Sequence, residues 1–214
     1  MATPEHQLFD QLAGPVWAGA EPIRASAPAT EVSASRYRVR GLSEFGETEE
    51  APDDVSAGRY TAVRGEAPDC LAVGCYQAVS SAAGLAFVAV TDSRLGVLQL
   101  RDTSVKGMPT AEELAADGAG FLRSMGRLLK GFAREVSALN SIADRPESAE
   151  VTLCWEVPRL QLAEATRWRK PMIPELPGGE RNVQLSFADG SFARLCTDEA
   201  GLASLTALGG PPQG

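Results

Sequence analysis

Leu85-Ala-Phe-Val-Ala-Val-Thr-Asp-Ser-Arg-Leu-Gly-Val-Leu-Gln-Leu100 decides the fold class of this chain. Two aliphatic and β-branched runs, 85–90 and 95–100, flank Thr91-Asp-Ser-Arg94. Asp and Ser side chains bond nearby backbone groups and so favour turns, which makes the stretch an antiparallel hairpin. Phe87 to Val90 is apolar on both faces. A strand with one wetted face alternates, so this one is expected at the centre of a sheet, covered on both sides.

Working outward, a second hairpin lies near the C-terminus. Val183, Leu185 and Phe187 alternate with polar or small residues, then Asp189-Gly190 supplies the turn. Phe187 is expected to face Phe192. A plain two-residue loop would set Arg194 opposite Leu185 and send Leu195 to the other face, so a bulge near Gly190 is expected to restore the register. Two further strands are read at Val151–Val157 and Leu162–Trp168, broken by Pro158, and residues 170–180 read as a loop. The chain closes with a helix in which Thr197 is the N-cap and Asp198 and Glu199 favour the positive end of the dipole. Leu202, Leu205 and Leu208 share one side of it, and Gly209-Gly-Pro-Pro212 ends it.

Tyr60–Val63 and Leu71–Ala78 are read as strands, Ala25-Ser-Ala-Pro-Ala-Thr30 as a loop, and Pro4–Leu12 as a short helix. Arg36 to Arg40 alternates Arg with Tyr37 and Val39, the pattern of one exposed strand. Residues 1–60 hold ten acidic and five basic residues, with Glu47-Thr-Glu-Glu-Ala-Pro-Asp-Asp54 a solvated acidic turn or linker. Thr110 and Glu113 form a capping box, after which helical periodicity runs to about Ile142, with a break allowed at Gly118–Gly120. The expected organisation is an acidic, Pro/Ala-rich arm over 1–58 and a β domain over 59–209 with a helical insertion at 110–143, followed by a tail at 210–214.

Three segments together resemble the bacterial pleckstrin-homology-like (PH-like) domains common in actinobacteria. They are Ala89-Val-Thr-Asp-Ser-Arg-Leu95, Trp155-Glu-Val-Pro158, and Phe187-Ala-Asp-Gly190 ahead of the last strand and helix. The resemblance covers two blocks, about residues 84–102 and 151–209. It implies an α+β fold of two roughly orthogonal antiparallel sheets, a split barrel closed by a C-terminal helix. The long helix and residues 1–60 are additions that the family pattern lacks. The family binds proteins or acts near lipid, so the resemblance implies a binding module and supplies no catalytic residue.

The chemistry of the sequence agrees. A net charge of −8 argues against a chain-wide nucleic-acid or anionic-membrane footprint. The first twenty residues lack a secretory pattern and no apolar run is long enough to span a bilayer, so a cytoplasmic protein is expected. Cys70, Cys75, Cys154 and Cys196 lack paired spacing, which predicts small buried thiols and no metal or cofactor. His6, the sole histidine, is placed on an N-terminal surface helix, out of reach of a nucleophile. Glu156 and Glu164 are expected to face solvent, and Trp155 and Trp168 to pack against the sheet.

The segment with most surface content is 121–139. At helical spacing Arg123, Arg127, Lys130 and Arg134 share one sector, opposite Phe121, Met125, Leu128, Phe132, Val136 and Leu139. Three roles fit such a face. It packs on the β domain with its cations solvated, it docks on an acidic partner or anionic lipid, or the acidic run 47–54 covers it. The sequence reading is a non-catalytic adaptor for a protein partner. Peripheral membrane association through 121–139 is the alternative, and an unfamiliar enzyme the third.

Overall fold

The computed structural model describes residues 4–32, 36–39, 61–82, 85–103, 142, 146–169 and 181–208. Among these residues nine strands run in chain order: β1 (Ala25–Glu31), β2 (Arg36–Val39), β3 (Thr61–Gly65), β4 (Leu85–Val90), β5 (Arg94–Asp102), β6 (Ala149–Pro158), β7 (Leu162–Arg167), β8 (Arg181–Phe187) and β9 (Phe192–Thr197). Three helices accompany them: α1 (Pro4–Ala13), extended by a π-helical turn at Gly14–Ala18, α2 (Leu71–Ser80) and α3 (Glu199–Thr206). Eight strands join antiparallel, and β2 adds to β3 in parallel. Within the described residues β2, β6 and β7 each pair on one side only, so the sheet is not closed.

The quoted hairpin is β4–β5, with Leu85 opposite Leu100 and Val90 opposite Leu95. All six residues of β4 are buried, and the alternation of the strand explains how. Ala86, Val88 and Val90 point into one core, shared with α2, α3 and β7–β9. Leu85, Phe87 and Ala89 point into a second core under α1 and the π-turn. Phe9 of α1 stacks on Phe87 there, with ring centroids 4.0 Å apart. Opposite the junction of Val97 and Leu98, β6 carries one extra residue, Cys154, between Leu153 and Trp155. That bulge shifts the phase of β6. Ala149 and Val151 pack with the second core, whereas Trp155 and Val157 pack with the first.

The β8–β9 hairpin carries the expected bulge. Phe187 N–H donates to Ser191 O at 2.8 Å, and Gly190 takes a φ of 80°, a left-handed position suited to glycine. The extra residue sets Ser186, not Phe187, opposite Phe192, which corrects the expected Phe187–Phe192 pairing. Phe187 is buried and meets Trp155 edge-on at 6.1 Å.

Other expectations are overturned. Ala25–Thr30 is no loop: Ala25–Ala29 pair with β4, and Thr30 and Glu31 pair with β9, so β1 joins the two halves of the sheet. Small side chains suit it because α3 lies directly on it; a Cβ placed on Gly201 would stand 2.7 Å from Ala27 Cβ. Leu71–Ala78 belongs to a helix, not a strand. Its buried residues Ala72, Val73, Cys75, Tyr76, Ala78 and Val79 follow helical spacing. The first free amides of α2 are satisfied from far along the chain: Asp189 Oδ2 accepts from Leu71 N–H at 2.9 Å and Ser191 Oγ from Ala72 N–H at 3.1 Å. The cap of α3 is Asp198 rather than Thr197, its Oδ1 accepting from Gly201 N–H at 2.5 Å. Of residues 104–145 only Ile142 is described, and it is fully buried in the second core. The remainder of the expected helix 110–143, the acidic run 47–54 and the loop 170–180 lie outside the described residues.

Candidate functional site

Helix α3 forms a ridge with a groove on each side. On one flank a shallow groove of about 500 Å³ lies between α3 and β7, lined by Glu164–Arg167 and by Glu199, Leu202, Ala203 and Thr206. On the other, a groove of about 330 Å³ lies between α3, α1 and the entry to β1, lined by His6, Asp10, Arg24, Ser26 and Ser204 among others. The former is within the size range of ligand sites, roughly 300–1,000 Å³.

The first groove is built on a strand edge that no other described strand pairs with. Trp168 N–H donates to Asn182 O at 2.9 Å, so that residue faces β8. Strand alternation then turns Thr166 and Glu164 towards β8 as well, in register with Gln184 and Ser186. The backbone groups of Ala165 and Arg167 consequently point away from β8, and no other described strand pairs with them. The Leu202 and Ala203 side chains provide an apolar wall. At one end Glu199 accepts from Arg167 Nη2 at 3.0 and 3.3 Å and also binds Arg181 Nε. Glu164, exposed as expected, has no ion-pair partner among the described residues.

The second groove contains the polar surprise. His6 is buried, not on a surface helix face, and its Nε2 lies 3.1 Å from Asp198 Oδ2. An ionised carboxylate only accepts, so Nε2 carries the proton in that bond. Burial works against ionisation of Asp198, but the hydrogen bonds from His6 and the Gly201 amide outweigh it and hold the carboxyl below its usual range. One turn along α1, burial pushes the Asp10 carboxyl up, partly offset by the Ser26 hydroxyl and the charge of His6. Asp10 Oδ1 is buried with no hydrogen-bond partner among the described residues. The cluster ties α1 to the start of α3. No hydrogen bond joins His6 to a serine or cysteine nucleophile among the described residues.

The expected binding residues Arg123, Arg127, Lys130 and Arg134 lie outside the described residues. Trp155 and Trp168 pack as expected: the indole of Trp155 covers Gly74 of α2, and Arg194 stacks 4.4 Å from the Trp168 ring. Burial lowers the Arg194 guanidinium to about 10. Among the cysteines, Cys75 and Cys196 are buried, Cys70 is half-buried, and Cys154 is exposed at the β6 bulge, which corrects the reading of four buried thiols. Burial pushes the Cys75 thiol up to about 12, which keeps it protonated and inert. No group of three or more His, Cys, Asp or Glu side chains suited to a metal occurs among the described residues. No described helix is long and apolar enough to cross a membrane.

The sequence reading missed the groove. In the sequence Glu164 reads only as a solvated carboxylate and Arg167 carries no signal, because the edge of β7 that no described strand pairs with is defined only by the placement of β8 and α3. Comparison with family models, curated proteins and solved structures returns no match for this chain.

Proposed function

We propose that this chain is a non-catalytic, PH-like binding module that takes up an extended segment of a protein partner along β7. The PH-like part is supported by strand order. A four-stranded antiparallel set, β1-β4-β5-β6, with β2, β3 and α2 inserted in the chain between β1 and β4, and a three-stranded meander, β7-β8-β9, are joined where β1 passes from β4 to β9, and a helix follows the last strand. The binding part rests on one observation: no described strand pairs with the outward backbone of Ala165 and Arg167 at the rim of the larger groove. Such an edge adds a peptide strand through main-chain hydrogen bonds, with neighbouring pockets reading alternate side chains. The 121–139 segment, on which the membrane alternative rests, lies outside the described residues.

The test is selection from a random-peptide display library, followed by amide shift mapping with the selected peptides. Bound peptides should move the Ala165 and Arg167 amides most. Ala165→Pro removes an outward N–H without taking a bond from the β7–β8 ladder. Because Ala165 is buried, it should lower thermal stability somewhat, and it should abolish binding by a chain that is still folded at the assay temperature. Peptides that bind equally well to Ala165→Pro, or that shift only other regions, would sink the proposal.

A further inference from the structure

The two ends of β7 carry opposite charges, Arg167 on the α3 side of the sheet and Glu164 on the opposite face. Chain direction fixes the two ends. Arg167, the last residue of β7, meets Glu199, the first of α3, so the strand and the helix run in opposite directions along the groove. Glu164 therefore lies at the end of β7 nearer the carboxyl end of α3, with its side chain on the face away from that helix. The dimensions agree: three strand residues span about 10 Å, and the seven steps from Glu199 to Thr206 rise about 10 Å.

Each end has a distinct sign. At the Arg167 end one carboxylate, Glu199, is shared between two guanidinium groups. Arg167 engages it through Nη2 alone, so Nη1 and Nε keep their donors for another acceptor. The amino end of α3 adds the positive pole of the helix dipole. At the other end Glu164, on the opposite face of the strand, is an exposed carboxylate without an ion pair among the described residues.

From this we infer that the segment bound along β7 is zwitterionic in a fixed order: an acidic residue followed three positions later by a basic one. The inference rests on the peptide-binding reading above and sharpens it to a ligand class. The order follows from antiparallel pairing, the mode of all but one strand pair here and the more stable one per residue. A peptide running opposite to β7 reaches Arg167 first and Glu164 three residues later. Cross-strand partners share a face, so the acidic side chain falls beside Arg167 on the α3 side and the basic one beside Glu164 on the opposite face. The intervening positions meet Ala165 and Thr166, which favour small or β-branched side chains.

Three short labelled peptides decide the matter, identical but for charge: acidic-x-x-basic, basic-x-x-acidic, and one with both positions uncharged. Titrated into the full chain by fluorescence anisotropy, the first should bind about three- to tenfold more tightly than the second, with the uncharged one between, as expected for two exposed cross-strand charge pairs. Glu164→Lys, on an exposed side chain, should remove or invert that preference while leaving the uncharged peptide unaffected. Equal affinities accompanied by shifts at the Ala165 and Arg167 amides would overturn the charge order and leave the groove reading intact. Failure of all three peptides to shift those amides would overturn both.

Discussion

Gly74 stands inside α2, where alanine would ordinarily be the better helix former by about 1 kcal/mol. The tertiary contact reverses that preference. A Cβ there would lie 2.6 Å from Trp155 Nε1 and 3.2 Å from its Cδ1. The indole is also in edge contact with Phe187, so moving it disturbs a second packed ring. Overpacking of this kind costs about 1–3 kcal/mol, more than the helix propensity returns. Gly74→Ala should therefore lower stability by about 1–2 kcal/mol in urea unfolding. In a Trp155→Phe background the smaller ring leaves room, and the same substitution should be neutral or stabilising. Equal penalties in both backgrounds would show that Trp155 does not set the spacing of α2.

The elements differ in how openly the sequence announces them. The hairpins β4–β5 and β8–β9, strands β6 and β7, and helices α1 and α3 follow local periodicity and turn chemistry, and all are legible. Helix α2 is not, because Cys70 at its N-cap makes no side-chain cap and the capping groups, Asp189 and Ser191, lie 118 and 119 residues away. Strand β1 is hidden for a different reason. Its alanines and Pro28 have low strand propensity, and it is a strand because β4, β9 and α3 surround it. The link between α1 and α3 is equally non-local, with His6 bonded to a residue 192 positions on. Its pH dependence follows from Asp198. The folded carboxyl is held below its usual range, so its contribution is complete above the unfolded value of about 4 and disappears as pH falls through the lower folded value. Asp198→Asn should cost about 1 kcal/mol near neutral pH by removing the charge that faces His6 and the amino end of α3, asparagine being as good an N-cap as aspartate. The gap from wild type should close in acid, where both side chains are neutral. Asp10, pushed the other way by burial, is present in both proteins and cancels from the comparison. A gap that stays constant down to strong acid would remove Asp198 from the account.

At the scale of the whole molecule, the question is whether α1 is an arm or part of the fold. β4 supplies side chains to two cores at once, and the outer core consists of its odd-numbered residues, parts of β5, Ile142, and Phe9, Ala13 and Trp17 from the N-terminal region. Trp17 is fixed by its Nε1 bond to Glu156 at 2.9 Å and by Arg94, which donates to Trp17 O at 2.7 Å. Gly96 leaves the space for its ring, 2.9 Å from where a Cβ would stand. Without α1 the face of Phe87, Leu98 and Leu100 would be open to water, an apolar patch that soluble chains rarely expose. Phe9 is the critical side chain, fully buried and stacked on Phe87. Phe9→Ala should cost about 3–5 kcal/mol, a large share of the roughly 5–15 kcal/mol that a domain holds. If α1 and the sheet unfold as one unit, amide exchange should accelerate together in α1 and in β4–β5. Faster exchange confined to α1, with β4 and β5 still protected as in wild type, would mean that the sheet is stable alone and that α1 is an appendage to it.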